Sequence, residues 1–311
     1  MSHRHLFVAD PLDVMNIWQD STFGLMLECQ SRGHEIYHCG TEGLLGRSQA
    51  PSVRCRAVQV RAEQGNHFTL GELRGLSLDA FDVIWMRKDP PFDLNYIAAT
   101  YVLDFAPAST RVINRPDSLR SWNEKAIVLR FAQWCPAGLL SRDIAAIKEF
   151  QRDVGGSVVI KPLQHSGGNG VVALHPGDLN TNALLEMSTR QGQDFVLVQQ
   201  YQPEVVEGDK RVILINGEIG GALLRVPPAD DLRGNIHVGA RTERCELTPQ
   251  ERRVCEALRQ PLLDAGHLFV GIDLIGEKLT EINVTSPTGI REILMEGGPD
   301  LAASLVDAAL A

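Results

Sequence analysis

Near the carboxyl end of this 311-residue chain, Phe269-Val270-Gly271-Ile272-Asp273-Leu274-Ile275-Gly276-Glu277-Lys278-Leu279-Thr280-Glu281-Ile282-Asn283-Val284 alternates apolar and polar residues on either side of a turn. Folded as a hairpin about Glu277, it sets Asp273 opposite Glu281. Asn283 then shares the face of Glu281, because side chains along a strand alternate with period two. Two facing carboxylates repel and cost stability; a divalent cation between them reverses the sign. Two carboxylates and an amide oxygen form a hard, all-oxygen donor set, which suits Mg²⁺ carrying substrate phosphates and not Zn²⁺. A solvated acidic face is the plainer alternative. Against it stand Ile272, Leu274, Ile282 and Val284, which bury the opposite face and so fix the polar one.

A second candidate is Lys161-Pro162-Leu163-Gln164-His165-Ser166-Gly167-Gly168-Asn169-Gly170. Its glycines let backbone N–H groups come close to phosphate oxygens, and Lys161 stands within reach of the same anions. A plain hairpin loop has the same composition. The run matches neither the P-loop pattern G-x-x-x-x-G-K-[ST] nor the dinucleotide pattern G-x-G-x-x-G, so a P-loop ATPase and a nicotinamide enzyme are unsupported. Basic residues recur at element ends: Lys125, Asp209-Lys210-Arg211, Arg225, and Arg291-Glu292 after Ser286-Pro287-Thr288-Gly289. Each alone reads as a surface charge. Together, beside an oxygen-only cation site, they are what phosphoryl transfer from a nucleotide requires.

The elements that must position these groups change along the chain. Leu6-Phe7-Val8-Ala9, Glu35-Ile36-Tyr37-His38-Cys39, Val83-Ile84-Trp85-Met86 and Val112-Ile113-Asn114 read as strands, with a helix between the first two capped by Ser21 and stopped by Gly33. That alternation predicts a parallel sheet with helices on its faces, whose ligands gather at loops 10–20 and 87–93. Helices are expected near residues 121–133, 144–150 and 183–189. Two strands, 158–161 and 171–174, bracket the glycine loop, and 195–198 is a third, giving an α+β unit. Asn216-Gly217 joins strands 211–215 and 218–224 in a primed turn, and residues 300–310 close the chain as a helix. Residues 226–241 are a long polar stretch, of the kind that covers an active site or is disordered.

Composition narrows the partners. With 39 acidic against 30 basic residues the net charge is −9, which argues against a nucleic-acid footprint. No apolar run approaches the roughly 20 residues of a membrane helix. The apolar stretch near the start is too short for a signal peptide, and six unpaired-looking cysteines suit reduced thiols. A cytoplasmic protein is expected.

Met86-Arg87-Lys88-Asp89-Pro90-Pro91-Phe92-Asp93, Asn123-Glu124-Lys125, Gly208-Asp209-Lys210-Arg211-Val212, Thr280-Glu281-Ile282-Asn283-Val284-Thr285-Ser286-Pro287-Thr288 and Ile290-Arg291-Glu292-Ile293 resemble the bacterial glutathione synthetase family of the ATP-grasp superfamily. The resemblance runs to Glu292. It implies α/β and α+β architecture: an N-terminal Rossmann-like (pre-ATP-grasp) domain over residues 1–122, a small lid domain over 123–201, and a C-terminal antiparallel-sheet domain over 202–311. It also implies ATP-dependent joining of γ-glutamylcysteine to glycine through an acyl phosphate.

By the same resemblance Asp273, Glu281 and Asn283 hold Mg²⁺ (or Mn²⁺). Lys125, Lys161, Gly167 and Gly168 hold nucleotide phosphates, Gln199, Gln200 and Tyr201 the adenine, and Asp209 the ribose. Arg211 and Arg225 are the catalytic cations; Asp20, Ser21, Ser286, Arg291 and Glu292 bind the peptide. Residues 226–241 cover the site, with Arg233, Asn235 and Arg241 as contacts, and a homotetramer is implied. The chain departs from the family where Gln164-His165-Ser166-Gly167-Gly168 replaces Asp-Gly-x-Gly-Gly, and again from Leu294 onward. A related ligase with another substrate pair, or an ATP-binding regulator without turnover, are the competing readings.

Overall fold

The computed structural model describes residues 2–48, 50–228 and 240–311. Among the described residues the chain builds three sheets. The first has seven strands. Arg4–Ala9 pairs in parallel with Glu35–Cys39 and with Val83–Arg87, which pairs in parallel with Arg111–Ile113. These are the expected strands, and their near-continuous burial is that of a sheet covered on both faces.

The sheet is mixed, however. Ser52–Val60 and Phe68–Ser77 form a long antiparallel hairpin against Glu35–Cys39 that the sequence reading did not mark. Its signal is weak because Phe68–Ser77 is exposed along most of its length and so carries no apolar alternation.

The second sheet is antiparallel, in the order Val172–Leu174, Val158–Pro162, Val196–Gln200, Gly138–Ser141. Helices Ile144–Asp153 and Thr181–Ser188 bury Ile147 and Leu185 with Val158, Ile160, Val196 and Val198. The third sheet is also antiparallel, in the order Arg241–Arg244, Glu218–Val226, Asp209–Ile215, Phe269–Ile275, Lys278–Asn283. Asn216 (φ 51°) and Gly217 (φ 78°) are both left-handed, the primed turn that Asn-Gly predicts. Of the expected cover over residues 226–241, residues 229–239, with Arg233 and Asn235, lie outside the described residues. Arg241 is exposed and pairs with Glu243 at 3.0 Å.

Two expectations need correction. Ser21 does not cap the first helix. Asp20 does, its carboxylate accepting from the Phe23 N–H at 2.8 Å, and Ser21 is the first helical residue. Nor is there one helix over residues 121–133. An α-helix Pro116–Ser121 ends at Trp122, and a 3₁₀ segment Ala126–Trp134 follows, broken at Phe131. The cause is Asn123, whose side-chain oxygen accepts from the Lys125 and Ala126 N–H groups and starts a new turn there.

One buried amide fastens the first sheet to the third. Asn114 donates to the Phe269 and Val284 carbonyls (2.8 and 2.7 Å) and accepts from the Leu268 and Phe269 N–H groups (2.8 and 3.0 Å). On the other flank the closing helix Leu301–Leu310 packs Leu305 and Val306 into the core that holds Phe23, Met26 and Phe269.

Candidate active site

The hairpin of Phe269–Ile275 and Lys278–Asn283 turns through Gly276 (φ 52°) and Glu277 (φ 64°), a two-residue primed turn. Continued regularly, that turn would set Asp273 against Thr280 and send Glu281 to the opposite face. It does not continue regularly. The register shifts after Leu274↔Leu279, leaving Thr280 unpaired, so that Asp273 lies opposite Glu281 and Gly271 opposite Asn283. The Thr280 hydroxyl donates to the Asp273 carbonyl at 3.1 Å and holds the bulge. One extra residue therefore brings the two carboxylates to one face.

Cations crowd them. Asp273 Oδ1 accepts from Arg211 Nε (2.6 Å) and Arg225 Nη2 (3.0 Å), and its Oδ2 from Arg211 Nη2 (3.1 Å) and Asn283 Nδ2 (3.2 Å). Arg225 also grips Asp209 with two bonds, of 2.6 and 2.8 Å. Lys125 Nζ lies 3.0 Å from Glu281 and donates to the His165 carbonyl at 2.6 Å. Lys161 Nζ donates to the Thr280 carbonyl at 3.3 Å.

These pairings decide the protonation. Burial works against the charge on Asp273, but the Arg211 and Arg225 guanidiniums outweigh it and hold the carboxyl well below the usual range. Burial raises Asp209 in spite of Arg225. Burial also opposes the charge on Lys125, yet Glu281 and Glu124 raise its ammonium above the ordinary lysine value, whereas burial lowers Lys161.

Two cavities meet at this hairpin, sharing Gly167, Arg225, Asp273 and Glu281 in their walls. The larger, about 410 Å³, runs between the second and third sheets, and Lys125, Lys161, Gly168, Gln199, Gln200, Tyr201 and Asp209 line it. Gln199 is 2% exposed, and its amide nitrogen has no partner. The glycine loop over this cavity has left-handed backbone at Gly167, Gly168 and Gly170. It is tethered by Asn123 Nδ2 to the Leu163 carbonyl (3.0 Å) and by the Phe92 N–H to the Gln164 carbonyl (3.0 Å). His165 itself is exposed.

The smaller cavity, about 280 Å³, is lined on its other side by Asp20, Asn283, Ser286, Glu292 and Arg211. Glu292 is buried with Oε2 unpartnered, and burial raises its carboxyl. Ser21 and Arg291 stand behind that wall. Ser21 is wholly buried; Arg291 packs on Gly24 and donates to the Ile17 carbonyl at 3.2 Å.

Three residues matter here that sequence reasoning did not single out. Glu124 Oε1 accepts from the Val284 N–H, the Thr285 N–H and the Thr285 hydroxyl (2.8, 2.8 and 2.7 Å), pinning the strand that carries Asn283 beside Lys125. Arg87 is buried between Thr22 and the Pro287 carbonyl and stacks over Phe269. Asn114 is the third. Glu124 and Arg87 stood inside runs already marked, so their signal was present; only tertiary contacts give them their partners.

Asp273, Glu281 and Asn283 fit a hard divalent cation. The fit is one of donor type and shared face: here Arg211, Arg225 and the Asn283 amide nitrogen engage the Asp273 carboxylate and Lys125 pairs with Glu281, so a cation would take these oxygens as the arginines and lysine turn to phosphates. Another group of ligand-type side chains, His5, Cys29 and His34, lies within 4.8 Å. It does not suit a metal. Trp85 Nε1 donates to His5 Nδ1 (3.1 Å), so the ring proton sits on Nε2 and faces His34 Nδ1 (2.9 Å), leaving no free lone pair on His5.

Comparison with known proteins decides the family. Models of the prokaryotic glutathione synthetase N-terminal domain and ATP-grasp domain match residues 4–120 and 124–297. The chain belongs to the prokaryotic glutathione synthetase family. It is 47% identical over 298 residues to the glutathione synthetase of Bradyrhizobium diazoefficiens, covering 96% of this chain and 95% of that one. It is 44% identical to that of Brucella melitensis, covering 96% of each. Among solved structures, a D-cycloserine synthetase superposes with TM-score 0.69 at 13% identity, over 99% of this chain and 98% of that one. An ATP-grasp protein of Sphaerobacter thermophilus gives 0.63 at 18%, over 99% and 100%. The fold of this family member is thus ATP-grasp, as the motifs implied.

Proposed function

We propose that this chain condenses γ-glutamylcysteine with glycine, using ATP and releasing ADP and phosphate. The observation that carries the reading is the meeting of two cavities on one hairpin bearing Asp273, Glu281 and Asn283, with Arg211 and Arg225 at the junction. Membership of the glutathione synthetase family supports the substrates.

In this reading the nucleotide occupies the larger cavity: the base against Gln199, Gln200 and Tyr201, the ribose by Asp209, the phosphates under Lys125, Lys161, Gly167 and Gly168. Asp273, Glu281 and Asn283 (its amide turned to present oxygen) would hold Mg²⁺, or Mn²⁺ in its place. Bound there, the cation offsets phosphate charge. The dipeptide lies in the smaller cavity by Asp20, Ser286 and Glu292, with Ser21 and Arg291 supporting that wall from behind. Its glycyl-accepting carboxylate attacks the γ-phosphorus of ATP; the P–O bond to ADP breaks, and an acyl phosphate forms. Glycine's amine then attacks the acyl carbon, loses a proton, and expels phosphate.

A carboxylate is a poor electrophile, and phosphorylation gives it a leaving group. Arg225 and Arg211 face both steps and stabilise charge on the transferring phosphoryl group and on the tetrahedral carbon. The segment at residues 226–241 is proposed to exclude water, which would otherwise hydrolyse the acyl phosphate. The chain is proposed to work in three units, 1–122, 123–201 and 202–311, in a cytoplasm, where its free cysteines stay reduced. Among the described residues no helix is long and apolar enough to cross a membrane.

The altered loop Gln164-His165-Ser166 motivates the competing reading, a ligase of the same mechanism with a different acid or amine, which the relatives do not favour. Phosphate release from ATP separates them. Release that requires γ-glutamylcysteine and glycine together supports the first reading. Release with other pairs only supports the second, and none with any pair refutes both.

A further inference from the structure

The amine step has a proton to dispose of. Glycine carries an ammonium at neutral pH, and a protonated nitrogen has no lone pair with which to attack an acyl phosphate. The smaller cavity, where the two would meet, needs a base on its wall. Seven carboxylates line it.

Six of them are engaged elsewhere or open to solvent. Asp10 pairs with Lys88 at 2.8 Å and accepts from the Asp89 N–H, and Asp89 itself is exposed. Asp20 caps the helix Ser21–Ser31, and Glu124 Oε1 takes three donors. Asp273 is held by Arg211 and Arg225, and Glu281 by Lys125. Glu292 differs. It is 3% exposed, yet its Oε2 has no hydrogen-bond partner. A buried carboxylate oxygen without a donor costs stability. That cost disappears when a bound substrate brings the donor, and an ammonium brings one.

The cations that act on Glu292 are bonded to other groups. Arg211 uses its guanidinium on Asp273 and the Thr288 carbonyl, and Arg225 on Asp209 and Asp273. Arg291, beside it on the helix Ile290–Met295, donates to the Ile17 carbonyl. Among the described residues Asp20 faces the same cavity from the cap of Ser21–Ser31, and Asp273 faces it from the hairpin. The closing helix Leu301–Leu310 meets Ile290–Met295 in the apolar core that holds Ile293 and Leu301. Burial outweighs the arginines and holds the Glu292 carboxyl above the usual glutamate range. Its basicity therefore lies nearer neutral pH, where a general base is best matched to its task.

We propose that Glu292 is the general base of the amine step. It takes one proton from glycine's ammonium, and the freed lone pair forms the C–N bond to the acyl carbon. The bond from that carbon to the phosphate oxygen then breaks. The surplus proton on nitrogen leaves with the phosphate as hydrogen phosphate, and Glu292 passes its own proton to solvent. This role rests on the proposed condensation of γ-glutamylcysteine with glycine.

Hydroxylamine separates the amine's proton from every other requirement. It is uncharged at neutral pH, so it captures an acyl phosphate as a hydroxamate without a base. In Glu292→Gln, ligation of saturating glycine at neutral pH is expected to fall at least about a hundredfold. Hydroxamate formation from ATP and γ-glutamylcysteine is expected to stay near the wild-type rate, which also shows that the variant folds. Raising the pH through glycine's own titration should close the gap, because glycine then arrives neutral, and Glu292→Asp should restore part of the rate. A Glu292→Gln enzyme that ligates glycine as fast as wild type, that loses hydroxamate in equal measure, or whose deficit is the same at every pH overturns the proposal. A wild type that makes neither product refutes the condensation itself, and the base with it, a result distinct from the other three.

Discussion

Asp273 is the most heavily engaged side chain of the site, with both carboxylate oxygens taken up by Arg211, Arg225 and Asn283. A buried charge held this firmly survives only where its charge is used or balanced. Asp273→Asn and Glu281→Gln keep the shape and remove the charge. Each is expected to lower kcat by at least about two orders of magnitude, the usual size of losing a positioned charge at a reacting centre. Folding should persist, because Arg225 keeps Asp209 and Arg211 keeps the Thr288 carbonyl. Steady-state kinetics alongside circular dichroism checks this; near-normal turnover in both variants contradicts it. That Glu281 and Asn283 share a face was legible in the sequence because period-two alternation is a property of any strand; Asp273 joins them only through the bulge at Thr280. The arginines around them were visible only as charges. Their convergence on one carboxylate depends on Asp209–Ile215 pairing with Phe269–Ile275, so that Arg211 faces Asp273, and pairings between distant segments leave no local mark.

Among the elements, the hairpin shows how a right expectation rested on an incomplete cause. A turn about Glu277 puts Asp273 across from Glu281, yet the turn is Gly276-Glu277 and the bulge at Thr280 makes up the difference. Nothing about a threonine in a strand announces a bulge. The long hairpin of Ser52–Val60 and Phe68–Ser77 was missed for the opposite reason: its outer strand buries almost nothing, so hydrophobic periodicity has nothing to report. Asn114 was read as the end of a strand, whereas it is the clasp between the first sheet and both strands of the hairpin. Asn114→Ala strands two carbonyls and two N–H groups in a dry interior. The expected cost is about 3 kcal/mol or more, read as a lowered midpoint in urea unfolding. A loss under about 1 kcal/mol contradicts the clasp.

For the whole molecule, acid should weaken the fold through two buried histidines. Burial, then the neighbouring His34 and His3, lowers the His5 pKa to about 3, and burial lowers His267 to about 3 as well. Both nitrogens of His267 lack partners, and its ring stacks edge-on against Trp122 at 4.9 Å. An unfolded histidine takes a proton near pH 6.5, while these two refuse it in the fold until about pH 3. Between those values the unfolded chain binds more protons, so stability falls as pH falls and is complete above about pH 6.5. Each histidine is worth roughly 5 kcal/mol at full effect. Urea midpoints at several pH values between 7.5 and 4 should decline steadily, and His267→Leu should flatten part of the slope. A midpoint constant down to pH 4 contradicts the burial argument.

The proposed function turns on a divalent cation that Asp273, Glu281 and Asn283 would hold together with a nucleotide. Electron paramagnetic resonance of Mn²⁺ titrated with the protein and ADP measures that seat without requiring turnover. The free-ion signal should disappear stoichiometrically with wild-type protein in the presence of ADP and remain, beyond what ADP alone removes, with Asp273→Asn or Glu281→Gln. Equal Mn²⁺ capture by wild type and both variants would contradict the account.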